Sequence, residues 1–158
     1  MNARIIFFAI LSANFYSQTV SAKSDVKFHG SLYEISCVVN NDNPIDVAFG
    51  NVGVNKIDGI QYTQPVPVDI TCDGSYSGEF SLYVKGTAAD FDDSAVQTDV
   101  PDLSIRIMQD GSRIQINKPI IVSSAHPPAL TAVPINRPGS SLSEGVFKAT
   151  ATLVVEIV

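Results

Sequence analysis

The sequence has no tryptophan, two cysteines and two histidines, and these shortages limit the chemistry that it can support. It contains no Cys-x-x-Cys pair and no cluster of cysteine with histidine, as zinc sites and dithiol redox centres require. Neither His29 nor His126 is accompanied by a Gly-x-Ser-x-Gly motif, which disfavours a Ser-His-Asp hydrolase. Paired carboxylates could serve glycoside hydrolysis, but without tryptophan no aromatic cleft is predicted around them. We therefore predict no enzyme activity, no cofactor and no metal.

Positive charge is also scarce, since 10 lysines and arginines face 16 aspartates and glutamates, for a net charge of −6. Nucleic-acid binding needs lysine and arginine clustered on one face, so no nucleic-acid partner is expected. Asp90, Asp92 and Asp93 crowd together within residues 87–101. A calcium site there would need about six to eight oxygen ligands, and the glycine and glutamate of an EF-hand loop are missing. This stretch is predicted to be a solvated acidic loop.

The one long apolar run lies at the N-terminus. Arg4 precedes the apolar residues 5–13, and Val20-Ser21-Ala22 supplies the small residues that a signal peptidase recognises. The run is shorter than the roughly 20 residues that cross a bilayer, which disfavours a transmembrane anchor. Residues 1–22 are predicted to be a signal peptide, and the mature chain from Lys23 is predicted to be exported without inserting into a membrane.

The two cysteines, Cys37 and Cys72, both lie in the mature part of the chain. In an exported protein an even number of cysteines indicates disulfide bonding, and two cysteines permit one intramolecular pairing. The alternative, two free thiols, is disfavoured in an oxidising compartment. Closing this loop is expected to stabilise the fold by roughly 3.5 to 4 kcal/mol in the chain-entropy model.

The rest of the mature chain consists of short alternating segments separated by Gly, Pro, Asn and Asp, with no sustained helical period. Asp110-Gly111, between two such segments, predicts a hairpin. The whole pattern predicts an all-β sandwich of the immunoglobulin-like type. The predicted strands cover residues 25–32, 35–39, 45–49, 66–72, 80–86, 103–108, 113–116, 119–122, 130–135 and the C-terminal segment that follows Gly145.

The two ends of the mature chain are both strand-like. The C-terminal alternation places one set of residues on a single face, namely Phe147, Ala149, Ala151, Leu153, Val155 and Ile157. A strand with one buried face normally has a partner on each edge, and no residue follows Val158 to supply the next strand, so we expect another chain to cover this edge. Near the N-terminus, Val26, Phe28, Gly30 and Leu32 also share a face, with a glycine where an apolar side chain is expected.

The predicted signal peptide, the segment 24–32, Cys37 soon after it, Cys72 and the ending 145–155 together resemble the fimbrial subunits assembled by the chaperone–usher pathway. The resemblance covers essentially the whole mature chain. It implies an incomplete immunoglobulin-like sandwich that lacks its last strand and leaves an apolar groove open beside the terminal strand. In this family a periplasmic chaperone first fills the groove, and the extension of the next subunit replaces it at the outer-membrane usher, as an established form of strand addition.

The resemblance also assigns parts of the chain. Residues 23–34 would be the donor-strand extension, with Val26, Phe28, Gly30 and Leu32 as its inserting positions, and residues 35–158 the pilin domain. Gly30 would clear a bulky residue of the acceptor groove, although a simple bend or bulge is the alternative. The groove and the chaperone contact would be formed by Gly145, Phe147, Ala149, Ala151, Leu153, Val155, Ile157 and the carboxylate of Val158. The partners would be the chaperone, the usher and neighbouring fimbrial subunits, and the final location the fimbrium on the bacterial surface.

Two features refine this expectation. Ile157 stands where family members usually have a tyrosine, so any hydrogen bond that a tyrosine hydroxyl would make there is not expected in this chain. The short extension resembles that of adaptor-like minor subunits more than that of long-tailed shaft subunits. The leading prediction is a minor structural subunit that contributes to cell adhesion. One alternative is a tip adhesin domain that binds a host receptor, although the chain is too short to carry the additional receptor domain of such adhesins. The other alternative is a small secreted hydrolase.

Overall fold

The computed structural model describes residues 23–32, 34–74, 76 and 78–158. It divides the chain into two units, residues 1–32 and 33–158. The predicted signal peptide lies outside the described residues. In the first unit, residues 23–32 are exposed and have no regular secondary structure, which contradicts the strand predicted at 25–32.

The second unit is built from short β-strands. Two single 3₁₀ turns, Asn40–Asp42 and Val54–Lys56, are the helical elements among the described residues, and none of the described helices is long and apolar enough to cross a bilayer. The strands are β1 Cys37–Val39, β2 Gln64–Val66, β3 Ile70–Cys72, β4 Glu79–Lys85, β5 Ala88–Ala89, β6 Asp92–Gln97, β7 Leu103–Gln109, β8 Ser112–Arg113, β9 Pro119–Ser123, β10 Leu130–Asn136 and β11 Thr152–Ile157.

These strands form three antiparallel groups. The larger sheet has the order β2-β10-β7-β6-β5, with β8 added to β7, the smaller sheet has the order β11-β4-β9, and β1 pairs with β3. Cys37 and Cys72 are opposite each other in the β1–β3 pair and are joined by a disulfide, which confirms the predicted pairing. Asp110 and Gly111 connect β7 to β8 with φ angles of 49° and 79°, the positive pair that a two-residue hairpin needs, so this prediction is confirmed too.

The core lies between the two larger sheets, where period-two alternation turns one face of each strand inward. Phe80, Leu82 and Val84 of β4 belong to one buried cluster with Ile105 and Ile107 of β7, whose other members are Val96, Ile114, Ile116, Val122, Leu130 and Ala132. Leu82 is fully buried. The predicted all-β architecture with an unclosed sandwich is therefore confirmed.

Other local predictions are wrong as well, including the strand predicted at 113–116, of which only Arg113 belongs to a strand. Residues 87–101 are not a loop, because they contain β5 and β6, and Ser94, Ala95 and Val96 are buried. Residues 45–49 form no strand. The strand predicted at 66–72 is divided into β2 and β3, which join different sheets. Pro67 lies at the division, and proline cannot donate a ladder hydrogen bond.

Candidate functional site: an apolar groove beside the terminal strand

Strand β11 has one free edge. It pairs with β4 from Thr152 opposite Lys85 to Ile157 opposite Phe80, and no described strand pairs with its other side. The free edge of a strand presents backbone N–H and C=O groups that lack partners. The smaller sheet therefore ends in a template on which a further strand can be added.

An open groove of about 1220 Å³ runs beside this edge. Residues 42–57 form what we call the first wall, and residues 142–155 form the second wall. The floor is the hydrophobic core itself, since the lining includes Val84, Val96, Leu103, Ile105, Ile107, Leu130 and Ala132. A groove whose floor is the core exposes apolar surface that a complete sandwich would bury.

The second wall contains most of the groove residues predicted from the sequence. Phe147, Leu153 and Val155 are half-buried and pack against the core cluster, whereas Ala149 and Ala151 are exposed and leave space beside the wall. Six of the eight predicted residues line the groove: Gly145, Phe147, Ala149, Ala151, Leu153 and Val155. Ile157 and Val158 are not among the described lining residues, and they are 38% and 74% exposed.

The second wall is a paired strand only in its second half. Before β11 begins at Thr152, Ala149 makes a single antiparallel bridge to Thr98. Next to it, the Lys148 amide donates to Asp99 Oδ1 at 2.7 Å, and the Asp99 amide donates to the Lys148 carbonyl at 3.0 Å. Residues 147–151 are thus fastened to the turn after β6, and the continuous strand predicted after Gly145 is wrong for this half.

Sequence reasoning missed the first wall as a part of the site. Val47 and Phe49 pack against the core cluster, and the Phe49 ring lies 6.0 Å from the Phe147 ring, centroid to centroid, across the groove. The signal in the sequence is the alternation of Ile45, Val47 and Phe49, which predicts an ordinary strand. Val47 and Phe49 do pack against the core as that alternation suggests, but the backbone remains without strand pairing.

The predicted inserting residues lie in the first unit, where they are uncovered. Val26, Phe28 and Leu32 are 69%, 92% and 104% exposed. Gly30 is also exposed, and a Cβ atom added to it would meet nothing within 4 Å. The ten exposed residues 23–32 thus include three large apolar side chains. Burying these side chains against a partner would be favourable.

The acidic residues around β6 make ion pairs. Arg106 donates through Nε and Nη2 to Asp92 Oδ2 at 2.9 and 2.6 Å, with the two side chains 16% and 8% exposed. Burial by itself would raise the pKa of Asp92, but hydrogen bonds from Arg106 and Ser94 outweigh it and leave this pKa lowered. Arg137 pairs with both Asp90 and Asp102, and these carboxylates raise its pKa. Among the described residues, no three His, Cys, Asp or Glu side chains are placed to hold a metal ion.

The fold agrees with the comparisons to known proteins. The family model described as "Fimbrial protein" matches residues 26–157, so the chain belongs to the fimbrial protein family. It is 33% identical to the fimbrial-like protein YfcQ of Escherichia coli (strain K12) over 143 residues, which cover 86% of this chain and 88% of YfcQ. It is 28% identical to the fimbrial-like protein YfcR of the same strain over 117 residues, which cover 70% of this chain and 68% of YfcR.

Solved pilus subunits have the same fold. The P pilus adaptor subunit PapF matches with a TM-score of 0.57 and 20% identity, over 77% of this chain and 95% of PapF. The P pilus rod subunit PapA matches with a TM-score of 0.59 and 15% identity, over 85% of this chain and all of PapA (100%). These findings confirm the immunoglobulin-like pilin fold and the resemblance to chaperone–usher pilins. The chain is a fimbrial subunit.

Proposed function

We propose that the chain is a non-enzymatic structural subunit of a chaperone–usher fimbrium that is joined to its neighbours by strand complementation. The groove along the free edge of β11 accepts the extension of one neighbour, and residues 23–34 enter the groove of another. The observation that carries this proposal is the groove itself, because its floor is the hydrophobic core and its rim is an unpaired strand edge. An inserted strand would satisfy both with apolar side chains and main-chain hydrogen bonds.

The energetics favour such a joint. Burying side chains such as Val26, Phe28 and Leu32 contributes roughly 1.5 to 3 kcal/mol each, and each main-chain hydrogen bond adds about 0.5 to 1.5 kcal/mol. Ordering the extension opposes this by about 1 to 2 kcal/mol per residue. Because these three side chains are exposed in the free chain, nearly all of their burial is available to the complex.

We further propose the route and the role. A periplasmic chaperone covers the groove first and contacts Ile157 and Val158 beyond its end, and the neighbouring subunit replaces the chaperone at the outer-membrane usher. The short extension favours a minor, adaptor-like position over a repeated shaft position. The finished location is the fimbrium on the bacterial surface, where the subunit contributes to adhesion.

The test of the acceptor groove is a pair of substitutions, one on the second wall and one on the other edge strand of the same sheet. Ala151→Asp places a carboxylate on the groove face, where it stays solvated in the free chain but is buried without a partner once a strand enters. The control Ile121→Asp places a carboxylate at an exposed position of β9, which is not among the described lining residues of the groove. We expect Ala151→Asp to lower recovery with the chaperone, and incorporation into fimbriae, at least tenfold. Ile121→Asp should remain close to the wild type, and equal recovery of both variants would contradict the groove as the acceptor.

The donor end is tested separately. Deleting residues 24–31 should leave chaperone binding intact, because the groove is unchanged, while preventing the chain from joining its downstream acceptor subunit. Electrophoresis of fimbriae without boiling, followed by blotting for the tagged subunit, reports the joint directly. A deletion variant that still joined its acceptor would show that residues 23–34 are not the donor.

A further inference from the structure

Phe49 and Phe147 bring the two walls of the groove into contact. They lie on opposite walls, and their rings are 6.0 Å apart between centroids at an interplanar angle of 38°. Both side chains are half-buried and pack against the core cluster. Such tilted aromatic pairs are attractive beyond the area that they bury.

The two walls are held in different ways. The second wall is fixed by the pairing of β11 with β4 and by two hydrogen bonds between Lys148 and Asp99, one between backbone groups and one from the Lys148 amide to the Asp99 carboxylate. In the first wall, residues 45–52 belong to no strand, and no backbone hydrogen bond joins them to any other described residue. The middle of the first wall is therefore held by side-chain packing, which includes the contact of Phe49 with Phe147 on the second wall.

This contact occupies space that an inserted strand needs. Neighbouring strands lie about 4.8 Å apart, so two walls flanking an added strand stand about 9.6 Å apart, with that strand's inward side chains between them. Rings in contact across the groove leave no room at their level for a side chain from a third segment. The rings must therefore separate for a side chain to pass, and the wall that lacks backbone hydrogen bonds is the one free to move.

We propose that Phe49 and Phe147 form an aromatic latch that holds the unoccupied groove closed at one point and opens when a donor strand enters. This inference rests on the proposed function, because it assumes a strand as the occupant. In the free chain the latch covers part of the apolar floor and keeps the first wall in place. During assembly its opening slows strand entry, so its removal accelerates entry even though it also removes a core contact.

The experiment uses the disulfide-bonded mature chain, residues 23–158, and a labelled synthetic peptide of residues 23–34 in excess. The association rate is measured for the wild type, Phe49→Ala and the control Val68→Ala, which removes a partly buried side chain packed against the same core cluster but not among the described lining residues of the groove. We expect Phe49→Ala to accelerate association about three- to tenfold and Val68→Ala to leave the rate unchanged or lower. An unchanged or lower rate in Phe49→Ala overturns the latch. If that variant does not fold, Phe49→Leu, which keeps apolar bulk over the core, takes its place under the same criterion.

A structural readout separates the latch from ordinary core packing. In the free chain, nuclear Overhauser contacts between the Phe49 and Phe147 rings should be present, and saturation with the peptide should abolish them. Contacts that persist in the saturated chain overturn the latch while leaving the strand-accepting groove intact. Failure of the peptide to bind the wild type and every variant overturns the latch, whereas the proposed function, in which another subunit's extension enters this groove, is tested separately by Ala151→Asp.

Discussion

The β5–β7 flank of the domain and its groove flank both contain buried apolar side chains but cover them differently. On the β5–β7 flank, Ala89 and Ala95 are 7% and 0% exposed, and Asp92 and Arg106 pair beside them with little exposure. On the groove flank, Phe147 and Leu153 pack against the larger core cluster and still remain half-buried. The apolar side chains of the β5–β7 flank are buried by the chain itself, whereas those of the groove flank leave apolar surface that an added segment can bury.

This difference separates two sources of stability. Contacts on the β5–β7 flank act in the free subunit, so their loss should lower its free energy of unfolding whatever occupies the groove. Contacts on the groove flank are completed by a partner, and a ligand that binds the folded state stabilises it according to its concentration and affinity. Substitutions on the two flanks should therefore respond differently to an occupant.

The largest expected effect comes from comparing two leucines. Leu82→Ala removes a fully buried side chain and should cost about 2 to 5 kcal/mol in free energy of unfolding, with or without an occupant. Leu153→Ala, in the half-buried second wall, should cost less in the free chain and more once the groove is filled. Urea unfolding with and without an excess of the peptide of residues 23–34 measures both costs. A Leu153→Ala cost that does not change with the peptide would mean that the groove flank is already complete in the free chain.

The next effect concerns the disulfide, which joins β1 to β3 beside the groove, where Cys37 is a lining residue. The double variant Cys37→Ser/Cys72→Ser should lose about 2 to 4 kcal/mol of stability. It should also accept the peptide more weakly, because β1, whose three residues line the groove, loses its covalent tie to β3. Wild type treated with reductant provides the matched comparison. Loss of stability with unchanged peptide affinity would show that the disulfide stabilises the folded domain but does not support the groove.

The sequence was sufficient for the features that depend on local pattern. Alternation identified most strands, Asp110-Gly111 identified a hairpin, and the even cysteine count identified the disulfide. The β5–β6 hairpin was missed because its acidic residues are neutralised by Arg106 and Arg137, which follow much later in the chain. The strand predicted at residues 45–49 is wrong because the alternation of Ile45, Val47 and Phe49 indicates only which side chains face the core. Strand formation also needs a neighbouring strand to pair with, and no described strand pairs with these residues. The inserting role of residues 23–34 stays a prediction.

A smaller effect is expected at Asp92. Because Arg106 is 16% exposed, Asp92→Asn should cost about 1 to 3 kcal/mol, less than breaking a fully buried pair. The folded state lowers the pKa of Asp92 below its ordinary value of 3.8, so its contribution is present above that pH and is lost as the pH falls through the lower, folded value. Unfolding midpoints between pH 7 and about pH 2 should fall less steeply for Asp92→Asn than for the wild type. Parallel curves would show that Asp92 has no part in the acid sensitivity of this flank.

The smallest effect is expected at Asp90, on the same flank but at its surface. The hydrogen bond from Arg137 lowers the pKa of Asp90, yet its side chain is 75% exposed, and exposed ion pairs are screened by water and salt. Arg137 also keeps its bond to Asp102 at 2.6 Å and its position over the Phe91 ring when Asp90 is replaced. Asp90→Asn should therefore shift the unfolding midpoint less than Asp92→Asn, and the shift should vanish at about 1 M salt, where the screening length falls to about 3 Å. Equal shifts of the unfolding midpoint for Asp90→Asn and Asp92→Asn would show that burial does not set the strength of the ion pairs on this flank. The difference between the two flanks would then have to come from the number of contacts that each makes and not from how exposed those contacts are.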